Sequence, residues 1–299
     1  MFPRALVLWL VVSVSALAEP LTAGLHTPRA WSGKVQTVVS VTLMTDELMA
    51  ALLPTSRILA YSRSADDLIF SNVIDAAKLV PGRAWLNLEV VLSFHPDVVL
   101  AADWSDASSL QFLLSHGIAI EIVAAPRHWS QVLANLRQVG VDLGVTERSG
   151  AVLAQLTAQT AELKRRCLSV EKTATVLEYN AWGTSMGSQT LWNDLATMAG
   201  LKNLAEGFAA DEYGSVPMTA EELLRLDPDW LVVPSSQAAK AYQQADLLAK
   251  LRTDPVYSLL KAVKEGHLLT LPESWKTSTS QDSLKAAWAL QNAAYPNLR

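Results

Sequence analysis

The segment Asn87-Leu88-Glu89-Val90-Val91-Leu92-Ser93-Phe94-His95-Pro96-Asp97-Val98-Val99-Leu100 recurs, without a gap, as Thr219-Ala220-Glu221-Glu222-Leu223-Leu224-Arg225-Leu226-Asp227-Pro228-Asp229-Trp230-Leu231-Val232. Each copy opens on a residue whose side chain can cap a helix, Asn87 or Thr219. Each places a glutamate two positions later, Glu89 or Glu221, in the first turn, where the helix dipole favours negative charge. Apolar residues follow at helical spacing: Val91, Leu92 and Phe94 in one copy, Leu223, Leu224 and Leu226 in the other. A Pro-Asp pair then stops the helix. The apolar run after it, 98–101 or 230–233, has the length and β-branched content of a buried parallel strand. One unit of capped helix, Pro-Asp turn and buried strand therefore stands in each half of the chain, which marks an internal duplication.

Outward from these copies the pattern repeats. Residues 35–41, 58–61 and 118–123 read as strands of the first half, and 175–179 and 267–271 as strands of the second. Helical spacing occupies 45–53 and 191–199 between them. Strands alternating with helices predict an α/β fold, here two Rossmann-like lobes built on mainly parallel sheets. Between the halves, 146–168 carries Leu153, Leu156, Leu163 and Cys167 on one face, with Lys164, Arg165 and Arg166 near its end, where the dipole prefers cations. A helix of that length runs roughly 30–35 Å. The expected organisation is a lobe over 34–145, a connecting helix over 146–169 and a second lobe over 170–299, with a stiff spine that keeps lobe closure small.

The chain opens on Arg4, an apolar run over 5–17 and the small residues of Ala16-Leu17-Ala18. These are the parts of a cleaved secretory signal over 1–18. Cys167 is the one cysteine, so no cysteine stands at the expected cleavage site, no internal disulfide forms, and the thiol reads as core packing. The expectation is a periplasmic protein that is not a lipoprotein. A net charge of −5, with no cluster of Lys and Arg, gives no footprint for a nucleic-acid partner. Ten tryptophans stand out.

Together the export signal, two α/β lobes, long connecting helix and repeated Asn/Thr-x-Glu…Pro-Asp unit resemble the class III solute-binding proteins. That family serves ABC importers of vitamin B12, ferric siderophores and haem. The resemblance runs over about 35–290 and includes Val38-Val39-Ser40-Val41-Thr42 followed by Thr45-Asp46-Glu47-Leu48, similar to the family's first strand and helix. It implies a monomeric receptor that is not an enzyme. It implies partners in the membrane subunits of an ABC permease, a metal chelate as ligand, and no resident cofactor. It also implies that Glu89 and Glu221 dock on permease arginines, through bidentate charge-assisted bonds. Glu222, beside Glu221, is an alternative for the second contact.

In paired α/β lobes a ligand lies on the loops at the carboxyl ends of the strands. Those loops supply Met44, Arg63, Arg83, Trp85 and Trp104 from the first lobe, and Trp182, Tyr213 and Trp275 from the second. Flat aromatic rings suit a large rigid ligand held by few polar anchors. Arg83 matches an arginine that contacts the chelate in ferric-hydroxamate binders. Pro272-Glu273-Ser274-Trp275 is similar to the family's late loop with its cleft aromatic. His128 and Tyr213 are the candidate axial ligands if the chelate is haem, and cobalamin, cobinamide and ferric siderophores stay open beside it. The histidines are too scattered to predict a bare-metal site. The rival reading is a secreted α/β hydrolase, because Gly183-Thr184-Ser185-Met186-Gly187 fits the G-x-S-x-G pattern of a nucleophile elbow.

Overall fold

The computed structural model describes residues 34–298. The expected signal segment lies outside them. The first lobe holds five parallel strands, β1 (Val38–Ser40), β2 (Ile58–Ser62), β3 (Gly82–Ala84), β4 (Val98–Ala102) and β5 (Ile120–Val123), in the order β3-β2-β1-β4-β5. The second lobe has β6 (Thr175–Glu178), β8 (Lys202–Asn203), β10 (Trp230–Val232) and β11 (Leu268–Leu269) in a parallel sheet ordered β11-β10-β6-β8. A separate antiparallel ribbon joins β7 (Thr184–Met186) to β9 (Ser215–Pro217). The α/β class and the two parallel-sheet lobes read from the sequence are those observed. β1 and β4 lie at the centre of the first sheet and are wholly buried, as continuous apolar runs covered on both faces must be.

The duplication persists at the level of single atoms. Asn87 caps the helix Leu88–Phe94 by accepting from Val90 N, and Thr219 caps Ala220–Leu226 by accepting from Glu222 N. Both helices end on a non-glycine residue in the left-handed region, His95 at φ 50° and Asp227 at φ 42°. The aspartates that follow then do the same work. Asp97 Oδ2 accepts from the backbone N–H of Gln36 and Thr37, and the Thr37 hydroxyl accepts from Asp97 N. Asp229 Oδ2 accepts from Thr175 N and the Thr175 hydroxyl, which accepts in turn from Asp229 N. Each pair clips the entry of one central strand to the next, β1 to β4 and β6 to β10 (Val38 opposite Val98, Val176 opposite Trp230). The Gln36 and Thr37 N–H groups hold the Asp97 carboxyl below its usual range. At Asp229 partial burial pushes upward, but Lys261 and Thr175 outweigh it and hold the carboxyl at about 2.

The connecting helix is Thr146–Cys167. It is tied at one end to the first lobe, where Arg148 Nε donates to Ala51 O at 2.9 Å. At the other end it is tied to the last helix of the chain, Leu284–Ala294, where Gln291 Nε2 donates to Leu163 O at 2.9 Å. Along its side runs the helix Trp129–Asp142. The two approach so closely at Gly140 that a Cβ there would stand 2.3 Å from Ser149 Cβ. The buried positions of the long helix are Ser149, Leu156, Thr160 and Leu163. Leu156 and Leu163 are among the face the sequence implied, whereas Leu153 and Cys167 are only partly covered.

Candidate functional site

Between the lobes lie two cavities that share the wall 277–279. The larger, about 400 Å³, belongs mostly to the second lobe. Its wall on one side is the start of the helix Leu191–Met198, where Thr190 caps the first turn and Leu191, Trp192 and Leu195 face inward. Trp182 and Tyr213, on the loops around the β7–β9 ribbon, rise at the rim and are 64% and 77% exposed. Arg127 reaches over from the first lobe and donates to the backbone carbonyl of Glu212. The smaller cavity, about 390 Å³, sits under the first lobe, with Met44 on the first turn of the helix Leu43–Leu52, Phe70 and Trp104 in its wall. An aromatic row crosses from lobe to lobe: Phe70 meets Tyr242 edge-on at 5.2 Å, and Tyr242 meets Trp182 at 5.4 Å.

The floor is polar and charged. Glu178 closes β6 at its carboxyl end, is 4% exposed and lines the larger cavity. Lys276 Nζ stands 3.7 Å from Glu178 Oε1 and 3.1 Å from Glu273 Oε1, while Tyr242 donates to Glu273 Oε2 at 3.2 Å. Burial pushes the Glu178 carboxyl up to about 7, against the pull of Lys276. At the shared wall, Glu47 of the first lobe, which also lines the smaller cavity, accepts from the hydroxyls of Ser278 and Ser280 and from Asn72 Nδ2. Its burial outweighs those bonds and brings its carboxyl to about 7. Two lobes, a cleft at the carboxyl ends of parallel strands, and an aromatic lining over a small polar floor make a binding cleft.

The sequence profile of the family described as periplasmic binding protein matches residues 38–275. The chain belongs to that family. This periplasmic binding protein is 23% identical over 220 residues to the uncharacterized ABC transporter substrate-binding lipoprotein YvrC of Bacillus subtilis, covering 71% of this chain and 66% of that one, just under two thirds of its length. It is 25% identical over 243 residues to the iron-uptake system-binding protein of the same organism, covering 79% and 73%. The crystal structure of a periplasmic haem-binding protein from Pseudomonas aeruginosa shares the fold, with a TM-score of 0.69 at 23% identity over 89% of this chain and 94% of that one.

The expectation that the binding protein is not a lipoprotein does not stand, because the relative YvrC is named as a lipoprotein. The missing cysteine at a cleavage site was the physical ground for that expectation, and it concerned residues outside those described. The expected class, a binding protein and not an enzyme, is the one the family match gives. Ser185 agrees with it. It lies in the middle of β7 opposite Val216 of β9, fully buried, and not on the strand-to-helix turn that a nucleophile elbow requires. His267, which a triad would need, stacks on Trp230 at 4.2 Å and bonds to Asp229 O.

Of the residues singled out in the sequence, the cleft of this binding protein gathers Met44, Trp104, Trp182 and Tyr213. Arg63 and Trp85 stack on each other, guanidinium over ring at 3.8 Å, outside both cavity walls. Arg83 must be corrected. Its guanidinium is bidentate to Asp66 and also donates to the carbonyls of Ala77, Val80 and Gly82, so it holds its own lobe together. Trp275 must be corrected too. It lines a groove on the other side of the wall with Val152, Leu156 and Trp288, packed on the core. His128 pairs with Asp194 at 3.4 Å and is absent from the cavity walls. The cleft also holds Phe70, Glu178, Trp192, Tyr242 and Lys276, which sequence reading did not single out. Among the described residues no three His, Cys, Asp or Glu side chains gather as metal ligands.

Glu89 and Glu221 are exposed, and neither is bonded to another described residue. Glu222 differs, because its carboxylate accepts from Thr219 N at 2.8 Å and from the Thr219 hydroxyl at 3.0 Å. That capping box consumes it.

Proposed function

We propose that this chain is the substrate-binding component of an ABC importer, holding a metal chelate between its lobes as a monomer outside the cytoplasmic membrane. The observation that carries this reading is the aromatic row Phe70–Tyr242–Trp182, which joins the two lobes across the cleft. Stacked and edge-on rings grip a large flat ligand at little entropic cost, because each ring has few torsions to freeze. Met44, Trp104 and Tyr213 extend the apolar surface, and Lys276 with Glu178 supplies a small polar contact. The names of the relatives, an iron-uptake binding protein and a haem-binding protein, point the same way.

On this reading the permease subunits are met through Glu89 and Glu221. The two carboxylates occupy equivalent positions on duplicated helices and are unspent within the chain, as a pair of docking anions must be. Glu222 is committed to its capping box, so the second contact falls to Glu221.

The test is a titration of the purified protein with dicyanocobinamide, ferrichrome and haemin, followed by tryptophan fluorescence and by calorimetry. At least one should bind with a dissociation constant of about 1 μM or tighter, worth roughly 8 kcal/mol. Failure of all three to bind would remove the chelate reading.

A further inference from the structure

Two residues in the wall of the second lobe's cavity carry a buried side-chain polar atom with no hydrogen-bond partner: Glu178, at Oε2, and Trp192, at Nε1. Unmatched buried groups are rare, because each loses its water without replacement. Here one is an acceptor and the other a donor, and both belong to residues in the wall of one cavity. Lys276, its side chain 10% exposed, adds a cationic donor beside Glu178. The charges nearest Glu178 are Lys276 and Glu273, with the Tyr242 hydroxyl behind Glu273. The cavity wall therefore holds an acceptor beside a cationic donor, Glu178 and Lys276, with the indole N–H of Trp192 as a further donor in the same wall.

A carboxylate on a ligand has acceptors only. It would satisfy Lys276 and Trp192, but it would bring a second anion against Glu178. A primary carboxamide carries a carbonyl and an N–H₂ on one carbon. Its carbonyl can accept a hydrogen bond from Lys276 or Trp192 while its N–H donates to Glu178 Oε2. We propose that Glu178, with Lys276 and Trp192, forms an anchoring site in the cleft floor that selects a chelate with carboxamides on its periphery over one with carboxylates. This rests on the chelate-binding reading above and deepens it.

The experiment uses the purified protein and calorimetric titration at about pH 8.5, above the raised Glu178 carboxyl so that it is ionised, with two probes, dicyanocobinamide, whose macrocycle bears carboxamides, and haemin, whose macrocycle bears two carboxylates. Wild type should prefer the cobinamide. Glu178→Leu, close in volume, should weaken cobinamide by about tenfold or more, the usual worth of a hydrogen bond to a charged group. Glu178→Gln keeps an acceptor and drops the charge. It should hold cobinamide within about threefold and bind haemin several-fold more tightly than wild type, since hydrogen-bonded recognition survives and like-charge repulsion is gone. Tighter haemin binding cannot come from a folding defect, so Glu178→Gln decides the matter even if Glu178→Leu unfolds.

Cobinamide affinity unchanged in a folded Glu178→Leu protein, or haemin affinity unchanged in Glu178→Gln, would overturn the anchoring site. A wild type that binds haemin and not cobinamide would also overturn it while leaving the chelate reading standing. A wild type that binds neither probe but binds ferrichrome would do the same.

Discussion

Ser278 of the second lobe donates its hydroxyl to Glu47 Oε2 of the first at 2.7 Å, although 231 residues separate them. Ser280 donates to the same oxygen, and Gln281 Nε2 donates to the Glu47 backbone carbonyl at 2.9 Å. One buried acid thus receives a whole strip of the opposite lobe in the wall of the cleft.

This arrangement gives stability a pH dependence with a definite sign. Burial raises the Glu47 carboxyl from 4.5 to about 7 in the folded chain. The folded form therefore holds a proton that the unfolded form has released. The stability that proton contributes is complete below about pH 4.5 and is lost as pH rises through about 7. Thermal unfolding of wild type and Glu47→Gln should show wild type losing ground to the variant by on the order of 3 kcal/mol across that window. A gap between the two that does not change with pH would contradict the burial of this carboxyl.

The docking assignment separates three neighbouring acids. The double reversal Glu89→Lys/Glu221→Lys should abolish uptake in cells while ligand affinity, measured by titration, stays within about twofold, since neither residue touches the cleft. Glu222→Ala should leave uptake intact and cost about 1 kcal/mol of stability through the lost capping box. Loss of affinity in the double variant would mean that the acids serve the ligand and not a partner.

Cleft and core aromatic residues should part company in the same assay. Tyr242→Ala removes the centre of the interlobe aromatic row and should weaken chelate binding by about tenfold, as ring contacts of this kind are worth about 1 kcal/mol or more beyond their area. Trp275→Ala should instead cost about 3 kcal/mol or more of stability with affinity largely kept, because that ring packs on the core behind the wall. Calorimetry paired with thermal melts distinguishes the two outcomes.

Much of the fold was legible because duplication repeats a local rule in two places. Asn87 and Thr219 cap, Pro96 and Pro228 stop, and Asp97 and Asp229 clip the strands, each by chemistry that acts within a few residues or across one strand pair. The cleft was legible only in part. The rule that ligands meet the loops after strands pointed to Trp104, after β4, and to Trp182, after β6. Carried on to β10, it would have led through Pro234 toward Tyr242, in a stretch with no periodicity to draw attention. Arg83 and Trp275 misled because a residue type and a loop position say nothing about which partners use up its donors or which side of a wall its ring takes. Glu178 and Lys276 were invisible for a different reason: charged residues are mostly at surfaces, and only the packed sheet reveals that these two are not.

Close packing along the connecting helix can be tested separately. Gly140→Ala would force a methyl group against Ser149 and should cost about 1–3 kcal/mol. Ser149→Gly in the same chain should restore part of that loss by clearing the space, as read from chemical denaturation midpoints.

A helix fastened to Ala51 at one end and to the last helix at the other cannot serve as a swivel. On the proposed function, a receptor braced in this way would show its transporter nearly the same silhouette whether filled or empty. The difference between the two would then be sensed through cargo exposed at the mouth of the cleft, where Trp182 and Tyr213 stand uncovered.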